Sequence, residues 1–155
     1  MSSTTMVLFI LCCEAVGILS GVLAGTSNST WYRKLRKPKW NPPSLLFGPV
    51  WTLLYALMAI AAYIVWISPA SLFRAVALAL FALQLALNFL WTPLFFKLHW
   101  LRAASIEIIF LLVTIAASCR VFWAVNHAAS ILMMPYLLWV GFATALSSKI
   151  WRLNR

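Results

Sequence analysis

The stretch Trp31–Tyr55, WYRKLRKPKWNPPSLLFGPVWTLLY, packs five cations, three tryptophans and four prolines between two apolar segments. Pro38, Pro42 and Pro43 lock φ and lack a backbone donor, and Lys37 and Asn41 before them are pushed out of helical geometry, so 26–44 reads as a stiff, extended strap. After Pro43 the sequence turns apolar for some twenty residues, long enough for a helix to cross a bilayer. Working outward, the same pattern predicts five spans, at about 6–25, 45–67, 72–96, 103–123 and 128–150. Ser68, Pro69 and Ser71 mark one short joint, Lys97 to Arg102 the next, and Asn126 with His127 the last. Short joints make consecutive helices antiparallel. The expected fold is therefore an all-α integral membrane protein, one domain over 1–155, in a compact bundle of five transmembrane helices.

Composition agrees: 65% of the residues are hydrophobic and 9% charged, against roughly 25% charged in a soluble domain. Twelve Lys and Arg against two acids give a net charge of +10. Most of these cations lie outside the apolar runs, where lipid headgroups are, so the expected partner is membrane lipid and not nucleic acid. With five alternating spans, Arg33, Lys34, Arg36, Lys37, Lys39, Lys97, Arg102, Lys149, Arg152 and Arg155 fall on one side, and Arg74 and Arg120 on the other. The positive-inside rule then puts the 26–44 loop and the C-terminus in the cytoplasm of a bacterial cell. The first span ends in small residues (Gly21, Ala24, Gly25), as secretory signals do, but no cation precedes Arg33 and its apolar run is too long; a retained helix is expected.

Cys12, Cys13 and Cys119 sit inside spans without ligand spacing, and His99 and His127 fall in joints on opposite sides. No metal site is expected. Nor is there a nucleophile–base set, a phosphate loop or a carboxylate pair, which leaves hydrolase and kinase chemistry without residues to perform it.

Trp31, Tyr32 and Trp40 give the strap two readings: an aromatic interface belt with snorkelling cations, or a lid formed by Lys37, Pro38, Trp40, Pro42 and Pro43. Beneath it, Trp51, Tyr55 and Met58 share one face of the second span. Gln84, Asn88, Trp91 and Phe95 share a face of the third, and Tyr136, Trp139 and Ala143 a face of the fifth, where Pro135 loosens the backbone. Carboxamides in hydrocarbon are costly without partners, so these faces point inward. They make either a packed core or an aromatic-walled cavity suited to a flat hydrophobic ligand.

The motifs WYRKLRKPKWNPPSLLFGPVWTLLY, QLALNFLWTPLFF and PYLLWVGFATALS closely resemble the TspO/MBR family of tryptophan-rich sensory proteins and translocator proteins (peripheral-type benzodiazepine receptors). The resemblance implies a receptor or sensor, commonly a homodimer, that binds porphyrins such as protoporphyrin IX or haem as ligands, not as obligatory cofactors, and also isoquinoline carboxamides and benzodiazepines. Carried over by position, it implies a ligand site of Trp31, Tyr32, Trp51, Gln84, Asn88, Trp139 and Ala143, to which the shared faces add Tyr55, Trp91 and Tyr136. Some members are similar to light-dependent porphyrin-degrading catalysts, with Trp51 and Trp139 at the matching positions. A transporter of tetrapyrroles or other amphipathic molecules is the alternative.

The sterol motif of mitochondrial members needs a tyrosine that ALSSKIWRLNR lacks; Arg120, Phe122 and Val125 fit only the permissive reversed pattern, and no specific cholesterol site is expected. Ala75, Ala79, Ala82 and Ala86 form the small-residue stripe expected at a dimer seam. Of the two acids, Glu107, about one turn from Arg102, is expected to reach the basic interface in a structural role, whereas Glu14 lies deep in the first span without a cation on its own helix.

Overall fold

The computed structural model describes residues 3–26 and 29–155. Among them six helices form: α1 (Ser3–Ala24), α2 (Thr30–Lys34), α3 (Ser44–Ile67), α4 (Leu72–Phe96), α5 (Leu101–Val125) and α6 (His127–Leu153). The five long ones are long and apolar enough to cross a membrane. They coincide with the expected spans, and α5 and α6 extend further at both ends, because helical hydrogen bonding continues through residues such as Arg102 and Arg152 that are too polar for hydrocarbon yet suit the headgroup layer.

Local chemistry sets the ends. Ser71 caps α4 by accepting from the Arg74 N–H, and Asn126 caps α6 by accepting from Ala129, so a single residue separates α5 from α6. The α4–α5 turn closes with Leu98 donating to the Pro93 carbonyl (2.9 Å) and Trp100 to that of Leu94 (3.0 Å). His99 takes the left-handed conformation there (φ 58°). A non-glycine residue strained in this way costs about 1–2 kcal/mol; stacking on Trp31 at 4.0 Å offsets part of it.

The long helices form a ring in the order α1, α3, α6, α5, α4, with α3 also touching α4 across it. Though consecutive, α3 and α4 meet only lightly, since α1 packs beside both. Fully buried Met58, Ala61, Ala62 and Val65 on α3 meet Ile115 and Phe122 on α5 and Met133 on α6 in one core. The alanines let backbones approach closely. Large apolar residues such as Leu72, Val113 and Leu138 point outward, as a lipid solvent requires. Hydroxyls within the bundle find carbonyls: Ser20 donates to Phe89 (2.8 Å), tying α1 to α4, and Ser130 donates to Cys119 (2.8 Å), tying α6 to α5.

The strap departs from the fully extended expectation. Ser29 Oγ accepts from the Tyr32 N–H and starts the single turn α2, ahead of the prolines that begin at Pro38. Extended backbone resumes at Leu35. The expected lid loop also covers Ser27 and Asn28, which lie outside the described residues.

Candidate ligand cavity

A cavity of about 560 Å³ lies inside the ring at the strap end. Seven of the expected site residues line it: Tyr32, Trp51, Tyr55, Asn88, Trp91, Trp139 and Ala143. Trp51 lies 5.8 Å from the Tyr55 ring and tilts against it. Trp91 stacks on Phe95 at 5.1 Å, and Trp139 meets Phe47 edge-on at 6.0 Å. The indole N–H groups of Trp91 and Trp139 are buried without an acceptor among the described residues. Such a donor costs about 1–3 kcal/mol.

The carboxamides are organised by one hub. Asn88 Nδ2 donates to the Tyr136 hydroxyl (2.8 Å), which donates to Gln84 Oε1 (2.8 Å); Tyr55 donates to Asn88 Oδ1 (2.6 Å). Gln84 Nε2 completes the chain at Met58 Sδ, 3.9 Å away. Gln84 and Tyr136 are wholly buried and do not line the cavity; they fix the Asn88 amide that does. The two readings of the inward faces are thus both realised, a packed polar core with a cavity in front of it.

Trp31 does not line the cavity. It stacks on His99 and meets Phe95 edge-on at 5.8 Å, pinning the strap to the α4–α5 turn. Of the strap, Tyr32 alone among the expected residues reaches the lining; Lys37, Pro38, Trp40, Pro42 and Pro43 do not. Lys37 Nζ lies 4.5 Å from the Tyr32 ring centre and donates to the Arg33 and Leu35 carbonyls, while Trp40 meets Phe142 at 5.6 Å. Tyr32 donates to Asn41 Oδ1 (3.2 Å), and burial pushes its phenol pKa up. Asn154, past the end of α6, holds the strap like a neighbouring strand: its Oδ1 accepts from the Arg36 N–H (3.0 Å) and its Nδ2 donates to the Arg36 carbonyl (2.9 Å).

Several lining residues escaped the sequence reading. Ile108 and Leu111 bring in α5, for which no contribution was expected, and Glu14, Gly17 and Gly21 bring in α1. The Glu14, Gly17, Gly21 spacing (i, i+3, i+7) was the available signal for α1; Ile108 and Leu111 of α5 are plain aliphatics that carried none. Glu107 is 8% exposed and both its oxygens lack partners among the described residues, so it does not reach the basic interface through Arg102. Residues five apart project from nearly opposite sides of a helix.

Residues 9–152 match the TspO/MBR family. The chain is 41% identical to the tryptophan-rich protein TspO of Archaeoglobus fulgidus over 155 residues, 99% of each chain. It is 40% identical to the tryptophan-rich sensory protein of Cereibacter sphaeroides, over 80% of this chain and 77% of that one. To the human translocator protein it is 36% identical, over 80% of this chain and 75% of that one. With five membrane-length helices ringing an aromatic cavity behind the WYRKLRKPKW strap, this chain belongs to the TspO/MBR family of integral membrane proteins.

Proposed function

We propose that the cavity binds a flat hydrophobic ligand, in the first place a porphyrin such as protoporphyrin IX, and that the protein senses or handles tetrapyrroles; isoquinoline carboxamides and benzodiazepines are further ligands of the same site. The observation that carries this reading is the meeting of Trp51, Trp91 and Trp139 around one cavity of about 560 Å³. That is within the range of roughly 300–1,000 Å³ typical of ligand sites, and indole faces stack well on an aromatic macrocycle. The relatives' names, sensory protein and translocator protein, agree with it. Purified protein titrated with protoporphyrin IX should show saturable tryptophan quenching, weakened about tenfold or more in Trp51→Phe/Trp139→Phe. Unsaturable quenching, or equal affinity in wild type and the double variant, rules the reading out.

Transport is the second reading. Ile18 and Leu45, both strongly exposed toward the lipid, also line the cavity, which favours entry from the bilayer between α1 and α3. Uphill or counterflow uptake of porphyrin into proteoliposomes would establish it.

The strap end is proposed to face the cytoplasm. The Arg36–Asn154 pair and the Trp31–His99 stack support grouping the strap, the C-terminus and the α4–α5 turn, and with them ten of the twelve cations, at one end. A homodimer through α4 is proposed as well, since Ala75, Ala79, Ala82 and Ala86 form an exposed stripe.

A further inference from the structure

The cavity has the wrong charge for a ligand that enters carboxylate first. Glu14 lines it, and none of the lining residues is Lys, Arg or His, although the chain carries twelve Lys and Arg. The strap cation nearest the lining phenol, Lys37, is engaged by backbone carbonyls and the outer face of Tyr32. Glu14 shares its face of α1 with Gly17 and Gly21, which have no side chains to screen it from the cavity. Among the described residues it makes no hydrogen bond or ion pair, and it is half-buried in the middle of a membrane span. A carboxylate at that depth is costly unless it is neutralised or paired, and a cationic ligand in the cavity is placed to pair with it. Around the same space stand Trp51, Trp91 and Trp139. A carboxylate together with aromatic faces is the chemistry that recognises an organic cation.

We propose that the cavity selects planar aromatic ligands that carry a basic nitrogen, held at Glu14, over ligands of the same shape that carry a carboxylate. This rests on the cavity being the ligand site and names its preferred ligand class. A tetrapyrrole then places its ring inside and keeps its propionates outside, among the strap cations.

The test uses two probes with one ring system, cationic 9-aminoacridine and anionic acridine-9-carboxylate, titrated against the full chain in nanodiscs of zwitterionic phosphatidylcholine. With a net charge of +10, the protein's overall field favours the anion, so a preference for the cation reports a local site. Wild type is expected to bind 9-aminoacridine about tenfold or more tighter than the carboxylate, and Glu14→Gln to remove that difference without lowering the melting temperature. Ala143→Trp, which fills the cavity, is expected to weaken both probes. Equal affinities, preference for the anion, no saturable binding of 9-aminoacridine, or a cation preference that survives Glu14→Gln each overturn the charge selection. In those cases loss of protoporphyrin IX binding in Ala143→Trp keeps the cavity as the ligand site. Unchanged binding of all three compounds by Ala143→Trp removes the cavity reading and this inference together.

Discussion

Tyr136 serves two partners at once, accepting from Asn88 and donating to Gln84 in a site closed to water. Removing its hydroxyl strands a donor and an acceptor, each worth about 1–3 kcal/mol when buried without a partner. Tyr136→Phe should therefore lower the thermal midpoint of the purified protein clearly. Tyr55→Phe, which strands only one Asn88 lone pair, should lower it less. Equal midpoints for the two variants would show that the number of stranded groups does not set the cost. Gly17 gives a second test at this scale, because a Cβ there would overlap the Tyr55 ring. Gly17→Ala should cost about 1–3 kcal/mol, as overpacking does, and should also weaken porphyrin binding, since the displaced ring leaves both Asn88 and the cavity wall.

At the scale of the element, the strap is a separately docked segment whose grip is spread over the Trp31 stack on His99, the Tyr32 ring against Phe95 and Phe96, and Asn154. Asn154→Ala removes both hydrogen bonds to Arg36 while leaving the long helices intact. Trypsin should then cut after Arg33, Lys34 or Arg36 faster than in wild type, with no change in the thermal midpoint; unchanged cleavage would locate the grip wholly in the aromatic stacks. The strap also carries a pH dependence. Burial raises the Tyr32 phenol above its ordinary value, so the undocked strap ionises first as pH rises. The docking free energy from Tyr32 is complete below about pH 10, the usual phenol value, and is lost as pH rises through the higher docked value. Cleavage of wild type should accelerate above that range, and Tyr32→Phe should flatten the profile.

At the scale of the whole molecule, the bundle is inverted relative to a soluble protein, with leucines outside and amides within, and association rests on which outer face is smooth enough to pack closely. The α4 stripe is such a face. In a chain whose Cys12, Cys13 and Cys119 are replaced by serine or alanine, Ala79→Cys should form an intermolecular disulfide in membranes under mild oxidation. Leu138→Cys, on the outer surface of α6 and 74% exposed, should not. Crosslinking of Leu138→Cys alone would move the seam.

The order of apolar runs and short polar joints along the chain determined the five membrane spans, because runs of about twenty apolar residues match the thickness of a bilayer as helices. The tryptophan and proline motifs identified the family, and helical periodicity put Trp51, Asn88 and Trp139 on inward faces. Whether an inward residue meets open space or another side chain depends on partners from distant helices, which periodicity within one helix does not encode. Only the tertiary structure therefore decided that Gln84 and Tyr136 stand behind the wall, that Trp31 pins the strap to His99, and that Asn154 reaches back to Arg36 across 118 residues. The same holds for Glu14, whose place on the cavity wall requires α1 to pack between α3 and α4, whatever face its spacing with Gly17 and Gly21 marks.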